Sequence, residues 1–205
     1  MTKTTGNLFI ITAPSGAGKT SLVRALLSAD SQVKRSVSYT TRLPRPGEID
    51  GVDYHFVTEA CFLQMLEDGA FLESAEVHGG RYGTAQILAE SILSEGSDLL
   101  LEIDWQGAAQ VRNLYPQAVS IFILPPSPEA LKQRLHIRGQ DDADVIARRL
   151  AVAREEVGHV SEFDYVIINE LFDEAASDLL SIVRTQRLRA DRQLWRHVDL
   201  LKAFQ

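Results

Sequence analysis

LFIITAPSGAGKT, residues Leu8–Thr20, is the stretch whose reading decides the fold. Leu8–Thr12 is a short apolar run rich in β-branched residues, the pattern of a strand buried on both faces. It runs into PSGAG, a turn of small residues, and then into KTSLVRALLS, where Leu22, Ala25 and Leu26 recur at helical spacing. Strand, glycine turn and helix together open an α/β unit. The segment Ala13–Thr20 also fits the pattern G-x-x-x-x-G-K-[ST], with Ala13 in place of the first glycine. That chemistry needs backbone N–H groups converging on phosphate oxygens. Ala13, Pro14, Ser15, Gly16, Ala17 and Gly18 are expected to form the cradle, with Gly16 and Gly18 supplying the unusual backbone angles. The helix beginning near Lys19 adds its partly positive N-terminus. Lys19 brings a full charge to the β- and γ-phosphates, and the Thr20 hydroxyl is placed to meet Mg²⁺. The expected ligand is a nucleoside triphosphate.

Outward from this loop, Asp98–Asp104 (DLLLEID), Ser120–Leu124 (SIFIL) and Tyr165–Asn169 (YVIIN) read as three more buried strands. Between the last two lies a charged helical stretch from Glu129 to about Glu156. A long amphipathic helix then runs to about Arg189. Alternation of this kind predicts an α/β fold, a mainly parallel sheet flanked by helices. Glu102 and Asp104, two apart at a strand end, are expected to share a face and to serve the metal's water shell.

Residues 37–84 break the rhythm. Alternating stretches (VSYTT, VDYHFV) and turn residues at Pro44, Pro46, Gly47, Gly51, Gly79, Gly80 and Gly83 predict a small β-rich insertion. Arg42 and Arg45 flank the stiffening Pro44, and paired guanidiniums suit a phosphate monoester. Tyr54 and Tyr82 offer hydroxyls. Their neighbouring glycines, Gly51 and Gly83, suggest that something packs closely against the backbone.

The chain of 205 residues carries a net charge of −7, with 45% hydrophobic and 24% charged residues. Such a balance argues against nucleic acid and anionic membrane as partners, and any anionic ligand needs a local basic cluster. The polar N-terminus has no apolar leader segment, and no run is long enough to span a membrane, so the expectation is a cytoplasmic protein. The lone Cys61, in CFLQML, is expected to be buried filler. The five histidines show no metal-ligand spacing.

SVSYTTRLPRPGE at residues 36–48, DYHF at 53–56, FLE at 71–73, RYGT at 81–84 and EIDWQG at 102–107 occur in order. With the phosphate loop and YVIIN, they give a chain that resembles the guanylate kinases over nearly its whole length. The resemblance implies a P-loop kinase fold with a single domain. Its core would be about 1–36, 85–127 and 157–205, with a GMP-binding insertion at about 37–84 and a helical lid at about 128–156. It implies ATP-dependent phosphorylation of GMP, and of dGMP, with Mg²⁺ accompanying ATP. Arg42, Arg45, Tyr54 and Tyr82 match positions that hold the GMP phosphate, Ser38, Glu73 and Thr84 those that read guanine, and Glu48 is implied as a further GMP-binding residue. Asp104 matches a position that orients this side of the site, and Glu102 one near the metal. A carboxylate at Glu73 can accept from both N1–H and N2–H₂ of guanine, whereas adenine offers no such pair.

LKQRLHIRGQDDADVIARRL is the arginine-rich stretch. The resemblance marks Arg134, Arg138 and Arg149 as contacts to ATP phosphates, with Arg138 and Arg149 joining Lys19 and Arg42 in catalysis. Arginines neutralise the charge that spreads over oxygens in phosphoryl transfer. Arg148 reads as part of a solvated face. Gly139 is expected to end one helix and residues 141–144 to open the next. Asn169 falls either near the adenine pocket or in a loop cap. An amphipathic C-terminal stretch, with Leu194, Trp195, Val198 and Leu201 on one side, leaves open a cap on the domain or a homodimer or higher homo-oligomer. Two other readings fit less well. A non-catalytic guanylate-kinase-like module generally lacks an intact phosphate loop, and a GTPase would need an N-K-x-D motif that is absent.

Overall fold

The computed structural model of the chain describes residues 6–77, 79–138 and 143–204, without the side chains of residues 137, 138 and 143–146. With strands numbered in chain order, β1 (Leu8–Thr12), β2 (Val33–Arg35), β7 (Asp98–Glu102), β8 (Val119–Leu124) and β9 (Tyr165–Ile168) make one sheet. Its order is β2-β7-β1-β8-β9, and every neighbouring pair is parallel. Successive residues of β1 point to opposite faces, and both faces are covered. Phe9 and Ile11 pack with Leu22 and Leu26 of α1 (Lys19–Ala29) and with Leu179 and Val183 of α7 (Phe172–Arg187). Leu8 and Ile10 pack with Leu93 of α3 (Gln86–Ser94) and with Ala108 and Val111 of α4 (Trp105–Leu114). Two covered faces explain why the strand reads as an unbroken apolar run. Each Leu, Ile or Phe sealed here contributes about 1.5–3 kcal/mol of burial.

β1 is also where the strand order reverses, with β7 on one side and β8 on the other. In open α/β sheets, ligands bind outside the carboxyl ends of strands at such a switch point. The turn after β1 therefore opens into the natural crevice of the fold.

The second sheet is mixed and small. It runs β4 (His55–Phe56), β3 (Tyr39–Thr40), β6 (Gly80–Ala85), β5 (Phe71–Val77), with β3 and β4 parallel and the other pairs antiparallel. The ladder between β5 and β6 shifts register between Phe71 and Glu73. Helix α2 (Glu59–Glu67) lies against this sheet, its first turn capped by the Thr58 hydroxyl, which accepts from the Cys61 amide at 3.2 Å. Phe62 is the buried residue of α2 and stacks on Phe71 at 4.5 Å. Cys61, one position earlier and about 100° round the helix, is exposed; the expectation of buried filler was wrong.

Helix α4 ties the two sheets together. The Gln110 side chain accepts from the Ser74 amide at 3.1 Å and donates to the Ser74 carbonyl at 2.8 Å, so it pairs with β5 as a strand would. On the far side of the main sheet, Arg187 bridges Asp30 at 2.6 Å and Asp98 at 2.6 Å, pinning α7 to the starts of two strands.

The charged stretch after β8 forms two helices, α5 (Pro128–Arg138) and α6 (Ala143–Gly158), packed through Leu131, Leu135, Leu150 and Ala153. Gly139 and residues 140–142 lie outside the described residues. The C-terminal stretch folds as α8 (Ala190–Arg196) and α9 (Val198–Lys202), and Leu194, Trp195, Val198 and Leu201 all remain exposed. No described helix is long and apolar enough to cross a membrane.

Candidate active site

The loop after β1 is shaped by two glycines with left-handed angles, Gly16 at φ 92° and Gly18 at φ 97°. Gly18 has a second constraint: a Cβ there would lie 2.3 Å from Asn169 Nδ2. Asn169 is buried, and its Nδ2 donates to the Ala17 carbonyl at 2.7 Å. Arg134 of α5 donates to the Asn169 carbonyl at 2.8 Å and approaches the Ala17 carbonyl at 3.4 Å. Asn169 and Arg134 therefore brace the loop from behind. Ala13 is buried among the core residues at the foot of the loop, so a methyl group suits the position where the pattern has glycine.

Thr20 donates its hydroxyl to Glu102 at 2.8 Å. The Glu102 carboxylate also lies 3.9 Å from Arg35. Thr20 and Glu102 give two hard oxygen donors side by side beneath the loop. Mg²⁺ typically takes one or two such protein oxygens and completes its shell with phosphates and water, so the pair fits that ion. Among the described residues no cluster of three or more His, Cys, Asp or Glu could hold a metal alone.

Asp104 corrects the sequence reading. β7 ends at Glu102, and Asp104 turns away as the N-cap of α4, accepting from the Gly107 amide at 2.9 Å. It still lines the same pocket, but it does not share a strand face with Glu102. Capping explains the turn, since Asp is a preferred residue at this position.

That pocket is continuous from the loop to the second sheet. Gly18, Lys19 and Thr20 line one end, and Arg42, Arg45, Tyr54, Glu73 and Tyr82 line the other. Arg42 makes a fork of two bonds to Glu48, at 2.8 and 2.9 Å, and donates from Nε to the Tyr82 hydroxyl at 3.2 Å. The Glu48 bond raises the pKa of Arg42 further above its ordinary value and lowers that of Glu48. Glu48 thus orients Arg42 rather than facing the pocket itself. Arg45 is exposed at the rim. Tyr54 sits beside Arg42, its ring 5.3 Å from the guanidinium, and burial pushes its hydroxyl pKa up.

Glu73 is buried at 3% exposure and accepts from the Thr84 hydroxyl at 2.6 Å; Ser38 lies 3.5 Å from the same hydroxyl. Burial lifts its pKa to about 7, with Asp104 repelling its charge and the Thr84 bond opposing the rise. The shifted register between Phe71 and Glu73 places this acid opposite Thr84. Gly107 makes room for it: a Cβ on Gly107 would stand 2.4 Å from Glu73 Oε2. Gly83 is small for an internal reason, since Phe71 fills the space a Cβ would need at 2.8 Å, and Gly51 takes a left-handed φ of 74° where a Cβ would meet His55 Cε1 at 4.0 Å. Neither glycine marks a ligand approach.

Arg149 of α6 is half-buried and Arg148 exposed, and both have interaction partners. The side chain of Arg138 lies outside the described residues. Four lining residues escaped the sequence reading: the apolar Ala75, Val77 and Ile103, and the carboxylate Glu156 of α6. His159 takes a structural place, stacking on Trp105 at 3.6 Å and pairing with Glu162 at 2.6 Å.

A parallel sheet with a phosphate loop at its switch point, joined by one pocket to a second basic and carboxylate-lined site, defines a P-loop phosphotransferase acting between two nucleotides. The family model for guanylate kinase matches residues 5–186. The guanylate kinase of Methylobacillus flagellatus is 66% identical over 197 residues, covering 96% of this chain and 98% of that one. That of Thiobacillus denitrificans is 57% identical, covering 97% and 95%. The crystal structure of guanylate kinase from Anaplasma phagocytophilum superposes with a TM-score of 0.77 at 35% identity, covering 93% of this chain and 90% of that one. The chain belongs to the guanylate kinase family.

Proposed function

We propose that the chain transfers the γ-phosphoryl group of ATP to GMP, and to dGMP, through the residues placed above. The activity is that of its family. One observation carries the residue assignment: a single pocket holds the phosphate loop at one end and the Arg42, Tyr82 and Glu73 cluster at the other. In this reading, residues 13–20 cradle the ATP phosphates, and Thr20 and Glu102 would hold Mg²⁺, which would supply positive charge against the phosphates. Arg42, with Arg45, Tyr54 and Tyr82, holds the GMP phosphate, and Glu48 fixes the Arg42 fork. Glu73 accepts from N1–H and N2–H₂ of guanine, supported by Thr84 and Ser38, while Asp104 steers from the head of α4.

An oxygen of the GMP phosphate attacks the γ-phosphorus while the bond to the β–γ bridging oxygen breaks, leaving ADP. No general base is needed, because the attacking phosphate is already largely ionised near neutral pH. Lys19, Arg138 and Arg149 neutralise the charge in transit. Residues 1–36, 85–127 and 157–205 serve as the core, 37–84 as the GMP-binding insertion and 128–156 as a lid that excludes water. Small nucleotides of the cytoplasm are the expected partners, consistent with an acidic chain that carries its basic residues locally.

The test is an ADP-release assay comparing GMP, dGMP, AMP and UMP. GMP and dGMP should support turnover and AMP and UMP should not. Lys19→Ala should abolish it with the fold intact. Equal use of AMP would refute the role of Glu73, and near-normal turnover by Lys19→Ala the role of the loop.

A further inference from the structure

Two aromatic rings that the mechanism above does not use meet at the foot of α6. Trp105 is the first residue of α4, and His159 directly follows Gly158, the last residue of α6. Their rings stack with centroids 3.6 Å apart and planes 8° from parallel. Two turns further along the same face of α4, Arg112 grips the same turn of chain. It donates to Glu162 at 2.8 Å, and its guanidinium lies 4.8 Å over the Phe163 ring. His159 Nδ1 bonds Glu162 at 2.6 Å, so Trp105, His159, Glu162 and Arg112 close a ring of contacts. Just beyond, Val160 and Phe163 pack into the core beside Phe122. His159 is thus the joint between α6 and the core.

The opposite face of α4 serves the acceptor end of the pocket. At about 100° per residue, Gly107 and Gln110 stand about 140–200° round the helix from Trp105. Gly107 leaves room for Glu73, Gln110 holds Ser74 of β5, and Asp104 caps the helix while lining the pocket. One helix therefore spans from the guanine-side acid to the root of the helix that carries Arg149.

We infer that Trp105 and His159 are positioning residues for phosphoryl transfer: their stack fixes the foot of α6 against α4 and so sets where Arg149 stands relative to the acceptor. The inference rests on the reading of Arg149 as a transfer arginine. Arg149 precedes His159 by ten residues, about 15 Å of helix. A tilt of about 4° at the foot carries it by roughly 1 Å. A displacement of that size can lower a rate by up to about 100-fold, even when it arises far from the chemistry. Neither Trp105 nor His159 lines the pocket, so breaking the stack should spare nucleotide binding. The signature is a fall in kcat with KM left alone.

The experiment is steady-state ADP release by the full chain, each substrate varied in turn, with circular dichroism to confirm the fold. It compares the wild type with Trp105→Ala, His159→Ala, their double variant and Trp105→Phe. Each alanine variant is expected to lower kcat about tenfold, with KM for GMP and ATP within about threefold of the wild type. The double variant should lose no more than either single one, since one stack breaks only once. Trp105→Phe still offers the imidazole a ring face and should keep kcat within about threefold. Alanine variants with kcat within about twofold of the wild type overturn the inference, as do losses that multiply in the double variant or fall on KM alone. Trp105→Phe as slow as His159→Ala overturns it too, and that comparison decides the matter if Trp105→Ala does not fold. Wild-type kcat in Arg149→Ala would instead overturn the reading of Arg149.

Discussion

Replacing Gly107 by alanine should damage recognition of GMP while leaving ATP alone. The new methyl carbon would stand 2.4 Å from Glu73 Oε2, 3.1 Å from its Cδ and 3.3 Å from Asp104 Oδ1. An ordinary carbon–oxygen contact is about 3.3–3.6 Å, so the Glu73 oxygen must retreat by roughly 1 Å. Glu73 has little room to do so, being buried on β5 and tied to Thr84 at 2.6 Å. A hydrogen bond stretched from about 2.9 Å by that amount is no longer one. Losing one bond between guanine and a charged acceptor costs about 1.5–3 kcal/mol, or roughly 10- to 150-fold in kcat/KM for GMP. Alanine is a better helix former than glycine by up to ~1 kcal/mol, so α4 itself should not be weakened. Steady-state ADP release, with GMP varied at saturating ATP and the reverse, separates the two substrates. Circular dichroism confirms the fold. A folded Gly107→Ala protein whose kcat/KM for GMP stays within twofold of the wild type would refute the argument.

Two further expectations concern charge. The Glu73 pKa near 7 makes ionised Glu73, the form that accepts from guanine, scarce in acid, so kcat/KM for GMP should fall as pH drops below 7. Glu73→Gln should lose this inflection; the GMP phosphate titrates in both proteins, so their ratio isolates Glu73. Arg187→Ala should cost about 3 kcal/mol, read as a lower urea midpoint, because Asp30 and Asp98 would be left buried without the guanidinium that bridges them at the strand starts. An unchanged midpoint would show that the network is not needed to hold α7.

What the sequence made legible was local or carried by residue type. Leu8–Thr20 declares strand, turn and helix within 13 consecutive positions, so the opening α/β unit followed from it, whereas the switch point depends on the strand order and was not read. Arg42 and Tyr82 were legible as chemistry and Glu73 through the resemblance, and the three line one pocket. Contacts that close over long separations were not legible. The Asn169 amide meets the Ala17 carbonyl across 152 positions, and nothing near Asn169 distinguished a loop brace from a ligand contact. Arg134 was hidden in the same way, since its partners are backbone carbonyls, which every residue has. Glu156 looked like any charge on a helix because its burial depends on α6 packing over the loop. Cys61 failed for a different reason. In CFLQML nearly every residue is apolar, and only the packing of Phe62 against Phe71 decides which face is inside. The three residues of β2 are mostly polar and too few to show a period, so that edge strand passed unnoticed.

The Gln110 clamp on Ser74 bears on how cleanly the chain stays apart from its own copies. β5 is an edge of the second sheet, and its outward backbone groups would otherwise offer a template to another chain. One side-chain amide from α4 fills both the donor and the acceptor role at Ser74. The strand that presents Glu73 is thereby closed to intermolecular pairing at its middle. The outer edge of β5 and the strand position next to Glu73 are thus held by the same helix.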